Sequence, residues 1–328
     1  MKKNIFLALK GMAMGMAEVV PGVSGGTIAF ITGIYEELLN TIKGFTPDKL
    51  KLLKDEGFAS FWKAINGQFI FYLFGGMALG LVLGVFTIAK LLASYPILVW
   101  SFFFGLIVAS VWHVGKQIKK WSALEVVLLV GSAAISYYIT IAAPSEGLQE
   151  LWFVFLAGFI AICALMLPGV SGSFLLLLMG MYQYIVTDNV KELLSNFNTD
   201  SLVIVAVFAL GCLAGVLSFS RVLSWTFKNY EAPTLAVLTG FLLGSLNKVW
   251  PWKHVEHIFV KHLGEAKESV VVITEKSVLP GNYEVYIREG ADIVGYEAGD
   301  TYLIGAVVMM IIGFGLLIAM DKFSKEEN

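Results

Sequence analysis

The sequence predicts an all-α polytopic membrane protein made of two inverted repeats. Each repeat reads as a re-entrant helical hairpin followed by three transmembrane helices, and a small extracytoplasmic, strand-containing insertion interrupts the second. Three observations predict this. The chain of 328 residues is 57% apolar and only 15% charged, with a mean hydropathy of +0.77, too apolar for a soluble domain of that length. Its charges are segregated, so the net charge of −2 carries little information. A helix-breaking phrase also occurs twice: Pro21-Gly22-Val23-Ser24-Gly25 returns as Pro168-Gly169-Val170-Ser171-Gly172.

The elements follow from charge-free runs, since about 20 apolar residues cross about 30 Å of hydrocarbon. In the first repeat, residues 1–145, a hairpin over about 4–40 precedes helices over about 66–92, 97–115 and 123–143. In the second, residues 146–328, a hairpin over about 150–187 precedes helices over about 201–227, 232–247 and 301–320. The run 151–187 carries no charge and holds the second phrase, whose two arms are each too short for a full crossing. Gly33 and Tyr35 match Gly180 and Tyr182 at the same spacing as the phrases, and Gly76, Gly80, Tyr95, Gly105 and Ser110 match Gly211, Gly215, Tyr230, Gly240 and Ser245. A hairpin returns to its own side and three helices do not, so the second repeat starts on the opposite face.

The lysines orient the chain. With the N-terminus inside, the cytoplasmic segments hold Lys2, Lys3, Lys10, Lys43, Lys49, Lys51, Lys54, Lys63, Lys116, Lys119, Lys120, Lys228, Lys322 and Lys325, while the outer segment 144–150 has none. This asymmetry fits the positive-inside rule. The N-terminal apolar stretch reads as mature protein, because Lys10 interrupts it and no small-residue cleavage site precedes Pro21. The insertion, 248–300, falls outside. Val270–Thr274 and Tyr283–Arg288 suggest a strand pair turned at Pro280-Gly281-Asn282. Trp250 and Trp252 read as an interfacial belt, and His254, His257 and His262 lack a zinc spacing. Cys163 and Cys212 read as packing residues rather than a disulfide. No metal, cofactor or nucleic-acid partner is expected, membrane lipid surrounds the chain, and oligomeric state is not specified.

The doubled phrase is the candidate site. Proline removes a backbone donor and glycine relaxes the dihedrals, so helices stop there and leave free N–H and C=O groups. In hydrocarbon such groups must be buried in protein or line a cavity, and paired broken helices in two repeats mark transporter binding sites. Successive Gly and Ser amides form an anion-binding concavity, and Ser24, Thr27, Ser171 and Ser173 add hydroxyl donors. The competing structural reading is a tight hairpin tip whose glycines permit close helix packing. Lys10, Glu18, Lys90 and Arg221 are charges in or beside apolar stretches. Such residues are functional by default unless they snorkel, as Lys90 is expected to do near its helix end. Arg221 offers a fork of donors suited to phosphate. Glu18 stands before the first tip where the second repeat has Leu165.

Glu18-Val-Val-Pro-Gly-Val-Ser-Gly-Gly-Thr27 and Leu167-Pro-Gly-Val-Ser-Gly-Ser173 resemble the PopT-type polyprenyl-phosphate transporters, and the likeness covers essentially the whole chain. The resemblance implies a bacterial inner-membrane protein that moves undecaprenyl phosphate, the lipid carrier of cell-wall sugars, from the outer to the cytoplasmic leaflet. The candidate substrate-binding set is Glu18, Pro21, Gly22, Val23, Ser24, Gly25, Gly26, Thr27, Pro168, Gly169, Val170, Ser171, Gly172, Ser173 and Arg221, and the Glu18–Leu165 asymmetry between the repeats suggests proton coupling through Glu18. Two rivals stand beside it. Undecaprenyl-pyrophosphate phosphatases share inverted hairpins and a Pro-Gly-x-Ser phrase, but carry an Arg where Gly25 and Gly172 stand here, and the only Glu-x-x-x-Glu runs from Glu146 to Glu150 in a polar loop. A small-anion transporter is the second.

Overall fold

The computed structural model describes residues 2–20, 23–145, 147–261 and 269–326. It is mostly helical. In the first half, α1 (Lys2–Glu18), α2 (Gly25–Ile31) and α3 (Tyr35–Lys43) are followed by two short helices, α4 (Pro47–Asp55) and α5 (Phe58–Ala64). The three long helices of that half are α6 (Gly67–Ser94), α7 (Pro96–Gly115) and α8 (Ala123–Ile141). The second half repeats the order with α9 (Leu151–Met166), α10 (Gly172–Leu178), a π-helical stretch Gln183–Asn189 running into α11 (Val190–Asn196), then α12 (Thr199–Asn229), α13 (Glu231–Ser245) and α14 (Leu303–Glu326). The segment between the expected first hairpin and the first long helix thus carries two helices. Pro47 starts α4 at a position where its missing N–H costs nothing.

Among the described residues, five helices are long and apolar enough to cross a membrane: Gly67–Ser94, Pro96–Gly115, Ala123–Ile141, Thr199–Asn229 and Leu303–Met320. α13 has 15 residues, roughly 22 Å of helix, so the expected span at 232–247 is shorter than a crossing needs. Capping fixes several starts. Ser122 and Glu125 form a reciprocal capping box at α8, and Asn198 caps α12 through Asp200 N–H. The joint after the first long helix of each half is the same: Tyr95 has φ −141° and ψ 59°, and Tyr230 has φ −141° and ψ 55°.

Glycines let helix backbones touch, in equivalent ways in the two halves. A Cβ on Gly76 would stand 2.1 Å from the Ala8 carbonyl, and one on Gly211 2.1 Å from the Phe155 carbonyl. Gly80 meets Met12 and Gly215 meets Phe159 one turn further on. Later residues of one helix meet later residues of the other, so α1 runs parallel to α6 and α9 to α12. The chain between Glu18 and Gly67 therefore returns to the level at which α1 began.

The remaining long helices cross over between halves. α14 lies on α7, where a Cβ on Gly105 would stand 2.0 Å from the Met310 carbonyl and one on Gly313 2.0 Å from the Phe102 carbonyl, and α8 lies on α13, where a Cβ on Gly240 or Gly244 would stand 2.3 Å from the carbonyl of Leu129 or Ala133 respectively. Each half thus donates its third helix to the other. One buried core runs through the centre and includes Val23, Ile28, Tyr35, Leu39, Ile107, Leu238 and Leu242. The cysteines are free, and the Cys212 thiol faces the Gly158 carbonyl at 3.4 Å across the α9–α12 contact, as packing residues would.

The insertion holds two antiparallel hairpins: β1 (Lys253–Lys261) with β2 (Ser269–Ser277), and β3 (Glu284–Glu289) with β4 (Asp292–Ala298). This corrects the expected pairing, because the two anticipated strands fall in different sheets. Glu289 pairs with Asp292, which leaves Gly290 and Ala291 as a two-residue turn. Gly290 has φ +57°, the conformation such turns demand. Pro280–Asn282 forms a 3₁₀ turn between the sheets. Trp252 is also not an exposed belt residue. It is 3% exposed, its indole donates to the Thr301 carbonyl at 3.0 Å, and Trp250 donates to the Val278 carbonyl at 2.7 Å. Both lock the foot of the insertion. His262 lies outside the described residues.

Candidate functional site

The two repeated phrases meet. Each interrupts a helix at the same place: α2 and α10 both have seven residues, start at Gly25 and Gly172, and follow the extended residues Ser24 and Ser171. In the first tip, Ser24 Oγ accepts from Gly26 N–H at 3.1 Å and donates to the Leu165 carbonyl at 3.1 Å. Thr27 Oγ1 accepts from Gly169 N–H at 2.9 Å. The Tyr35 hydroxyl donates to the Met166 carbonyl. The first half thereby satisfies two carbonyls and one amide that the break at Pro168 would otherwise leave unpaired in the interior. Val23, Ser24, Gly25, Gly26 and Thr27 are buried on one side, and Pro168, Gly169, Val170, Ser171 and Gly172 on the other. Pro21 and Gly22 lie outside the described residues.

Close approach dictates the glycines. A Cβ on Gly26 would lie 2.5 Å from the Leu165 carbonyl, and one on Gly172 2.3 Å from the Ala161 carbonyl. Gly169 has φ +83° and would also press on the Phe241 carbonyl of α13 at 2.8 Å, so a side chain is excluded twice.

The tips differ in one respect. Glu18 Oε1 accepts from Gly25 N–H at 2.7 Å, so the first tip already holds a carboxylate. At the matching place the second half has Leu165, whose Cβ would lie 3.4 Å from one on Gly172. There Ser171 Oγ bonds Ser173 Oγ at 3.0 Å and accepts a long bond from Phe174 N–H at 3.4 Å. Ser173 is exposed, so the second tip presents one hydroxyl outward, backed by the buried Ser171, where the first is closed.

The other sequence candidates fall apart from this centre. Arg221 is exposed on α12, where its guanidinium donates to the Leu217 carbonyl of its own helix at 3.1 Å, and the structure does not bring it to Glu18. Lys10 donates to the Thr32 carbonyl at 2.9 Å, capping the negative end of α2. Lys90 is exposed near the end of α6. Sequence reasoning missed the acceptors Leu165 and Met166, because backbone carbonyls carry no residue-type signal. Tyr35 was visible only as half of the Tyr35–Tyr182 repeat pair.

An apolar helical bundle in which two interrupted helices are hydrogen-bonded tip to tip is the architecture of a multi-pass membrane transporter. The comparisons agree. The VCA0040-like, undecaprenyl phosphate translocase-like family matches residues 14–267. A polyprenyl-phosphate transporter of Vibrio cholerae is 40% identical over 318 residues, 97% of this chain and 96% of the relative. A polyprenyl-phosphate transporter of Staphylococcus aureus is 30% identical over 257 residues, 74% of this chain and 85% of the relative. No solved structure matches. The chain belongs to the undecaprenyl phosphate translocase-like family, and it is a transporter rather than an enzyme.

Proposed function

We propose that this protein carries undecaprenyl phosphate across the bacterial inner membrane, from the outer to the cytoplasmic leaflet, so that the lipid carrier is used again. The phosphate binds where the two tips meet, and Glu18 links its movement to a proton. The observation that carries this reading is the hydrogen bonding between the tips. With the Glu18–Gly25 and Ser171–Ser173 bonds beside it, this supports a site made of two interrupted backbones, four hydroxyl side chains and one carboxylate.

Packing supports an inverted arrangement. The glycine contacts make α7 parallel to α14 and α8 parallel to α13, and the reading takes successive long helices to alternate in direction as they cross and recross the membrane. With those constraints α6 and α12 run oppositely, so the two hairpins enter from opposite faces and their tips meet between them. The N-terminus, α4, α5 and the end of α12 then share the lysine-rich cytoplasmic side, where Lys43 and Asn40 of α3 bond Ser224 of α12. The insertion lies outside.

Glu18 supplies the switch. Its carboxylate occupies an amide that a phosphate oxygen would also seek, and two anions repel at that distance. Protonation of Glu18 relieves the repulsion as the phosphate enters, and ionisation drives release. Ser171 and Ser173 offer the first donors, and Arg221, one turn from Ser224 on the exposed side of α12, offers a cation along the lipid-facing path. Purified protein in nanodiscs should bind undecaprenyl phosphate and not undecaprenol. Equal affinity for both would remove the phosphate from the account.

A further inference from the structure

A charged cluster at the foot of the insertion is not used by the tips. Lys248 lies in the turn after α13. Its Nζ is 2.9 Å from Glu275 Oε1 and sits over the Phe174 ring, 4.6 Å from the centroid. Lys253 begins β1. It donates to the Asn247 carbonyl at 2.6 Å and to Ser277 Oγ at 3.0 Å, and stands 3.9 Å from the same Glu275 oxygen.

Two ammonium groups thus share one carboxylate, away from water. The side chains of Lys248, Lys253 and Glu275 are 16%, 12% and 23% exposed. Desolvating a cation is costly without a full counter-charge. Lys253 shows the deficit: burial pulls it down to about 8, Glu275 opposes, and Lys248 adds to the fall. An ammonium is a compact point charge that suits phosphate. The position is telling, because Phe174 directly follows Ser173, the exposed hydroxyl of the second tip. The cluster therefore borders the tip that is open rather than the one Glu18 closes.

We infer that Lys248 and Lys253 form a second phosphate-binding station at the foot of the insertion, which takes the phosphomonoester headgroup of a lipid beside the second tip. The inference rests on the lipid-phosphate reading above. When the station is empty, Glu275 holds both ammonium groups, and the phosphate displaces it. This gives the insertion a purpose: it carries Lys253 and Glu275 to Lys248, which lies over Phe174 of the helix that follows the second tip.

The test is binding to full-length protein in nanodiscs, with farnesyl phosphate, farnesol and inorganic phosphate as probes. Lys248→Gln and Lys253→Gln should each weaken farnesyl phosphate binding about tenfold, Lys253→Arg should restore most of it, and Glu275→Gln should tighten it by removing the competing anion. Wild-type affinity should fall as pH rises above about 8, and Lys253→Gln should lose that fall. Lys248 and Glu275 face Lys253, so their Gln variants are profiled over the same range. Thermal unfolding of every variant separates lost binding from lost fold. A pinning role predicts that Glu275→Gln weakens binding as much as the lysine variants, which would overturn the station. Inorganic phosphate binding as tightly as farnesyl phosphate would overturn the lipid assignment. Wild-type protein that transports undecaprenyl phosphate while the lysine variants bind normally defeats the station alone, whereas wild-type protein that binds no lipid phosphate defeats both readings.

Discussion

The amide of Gly169 donates to Thr27 Oγ1 at 2.9 Å, joining the second copy of the repeated phrase to the helix that follows the first, across 142 residues of chain. Both groups are buried, so no water replaces a lost partner. Thr27→Val keeps the shape and removes the acceptor. It should cost about 1–3 kcal/mol, the price of an unsatisfied buried amide, while Thr27→Ser should cost much less. Thermal unfolding of the purified variants reads the difference, and an unchanged Thr27→Val would mean the tips are not held together by this bond.

The glycine contacts make a sharper contrast. Gly76→Ala and Gly211→Ala each put a methyl 2.1 Å from a carbonyl on the neighbouring helix, whereas Gly75→Ala meets nothing within 4 Å. The first two should each lose about 1–3 kcal/mol through overpacking. Gly75→Ala should be neutral or gain up to about 1 kcal/mol from helix propensity. Similar melting temperatures for all three would contradict the close parallel packing of α1 on α6 and α9 on α12.

Much of this was legible in the sequence, for physical reasons that also explain the gaps. Charge-free runs located α6, α7, α8, α12 and α14, because hydrocarbon excludes charge, and the doubled phrase located both breaks. The exchange of third helices was not legible, since it depends on which small residues approach which backbone, and Gly105, Gly240 and Gly313 look alike in one dimension. The strand pairing failed because β1 and β4 alternate weakly and a two-residue turn at Gly290 outcompeted the longer one at Pro280. Arg221 stood out as a charge in an apolar run, but α12 has 31 residues and presents that charge on an exposed face.

Glu18→Gln keeps an oxygen to accept from Gly25 N–H, so the protein should fold normally. It should still bind lipid phosphate, yet its transport should no longer vary with pH. The check is transport by wild type and variant in proteoliposomes across a series of pH values. A variant that keeps the wild-type profile would remove Glu18 as the proton-linked group.

Lys253 predicts a separate pH effect on stability. Burial lowers its folded-state pKa from 10.5 to about 8. Between these values the unfolded chain keeps a proton that the folded chain has released, so stability should rise with pH across that window and stay flat below it. The gain is at most about 3 kcal/mol. Denaturant unfolding followed through Trp250 and Trp252 fluorescence should show the rise in wild type and not in Lys253→Met. A wild-type stability that falls from pH 8 to pH 10 would contradict the buried, under-compensated lysine.

Lipid phosphate is proposed to cross the membrane where the tips meet. This is tested most directly by the leaflet-resolved accessibility of undecaprenyl phosphate in proteoliposomes containing wild-type protein, Gly172→Leu, or no protein. The account predicts that wild type equilibrates the lipid between leaflets and that Gly172→Leu, which drives a side chain into the Ala161 carbonyl at the second tip, leaves it trapped like the empty vesicles. A folded Gly172→Leu protein that moves the lipid at the wild-type rate, or a wild-type protein that moves none, would contradict it.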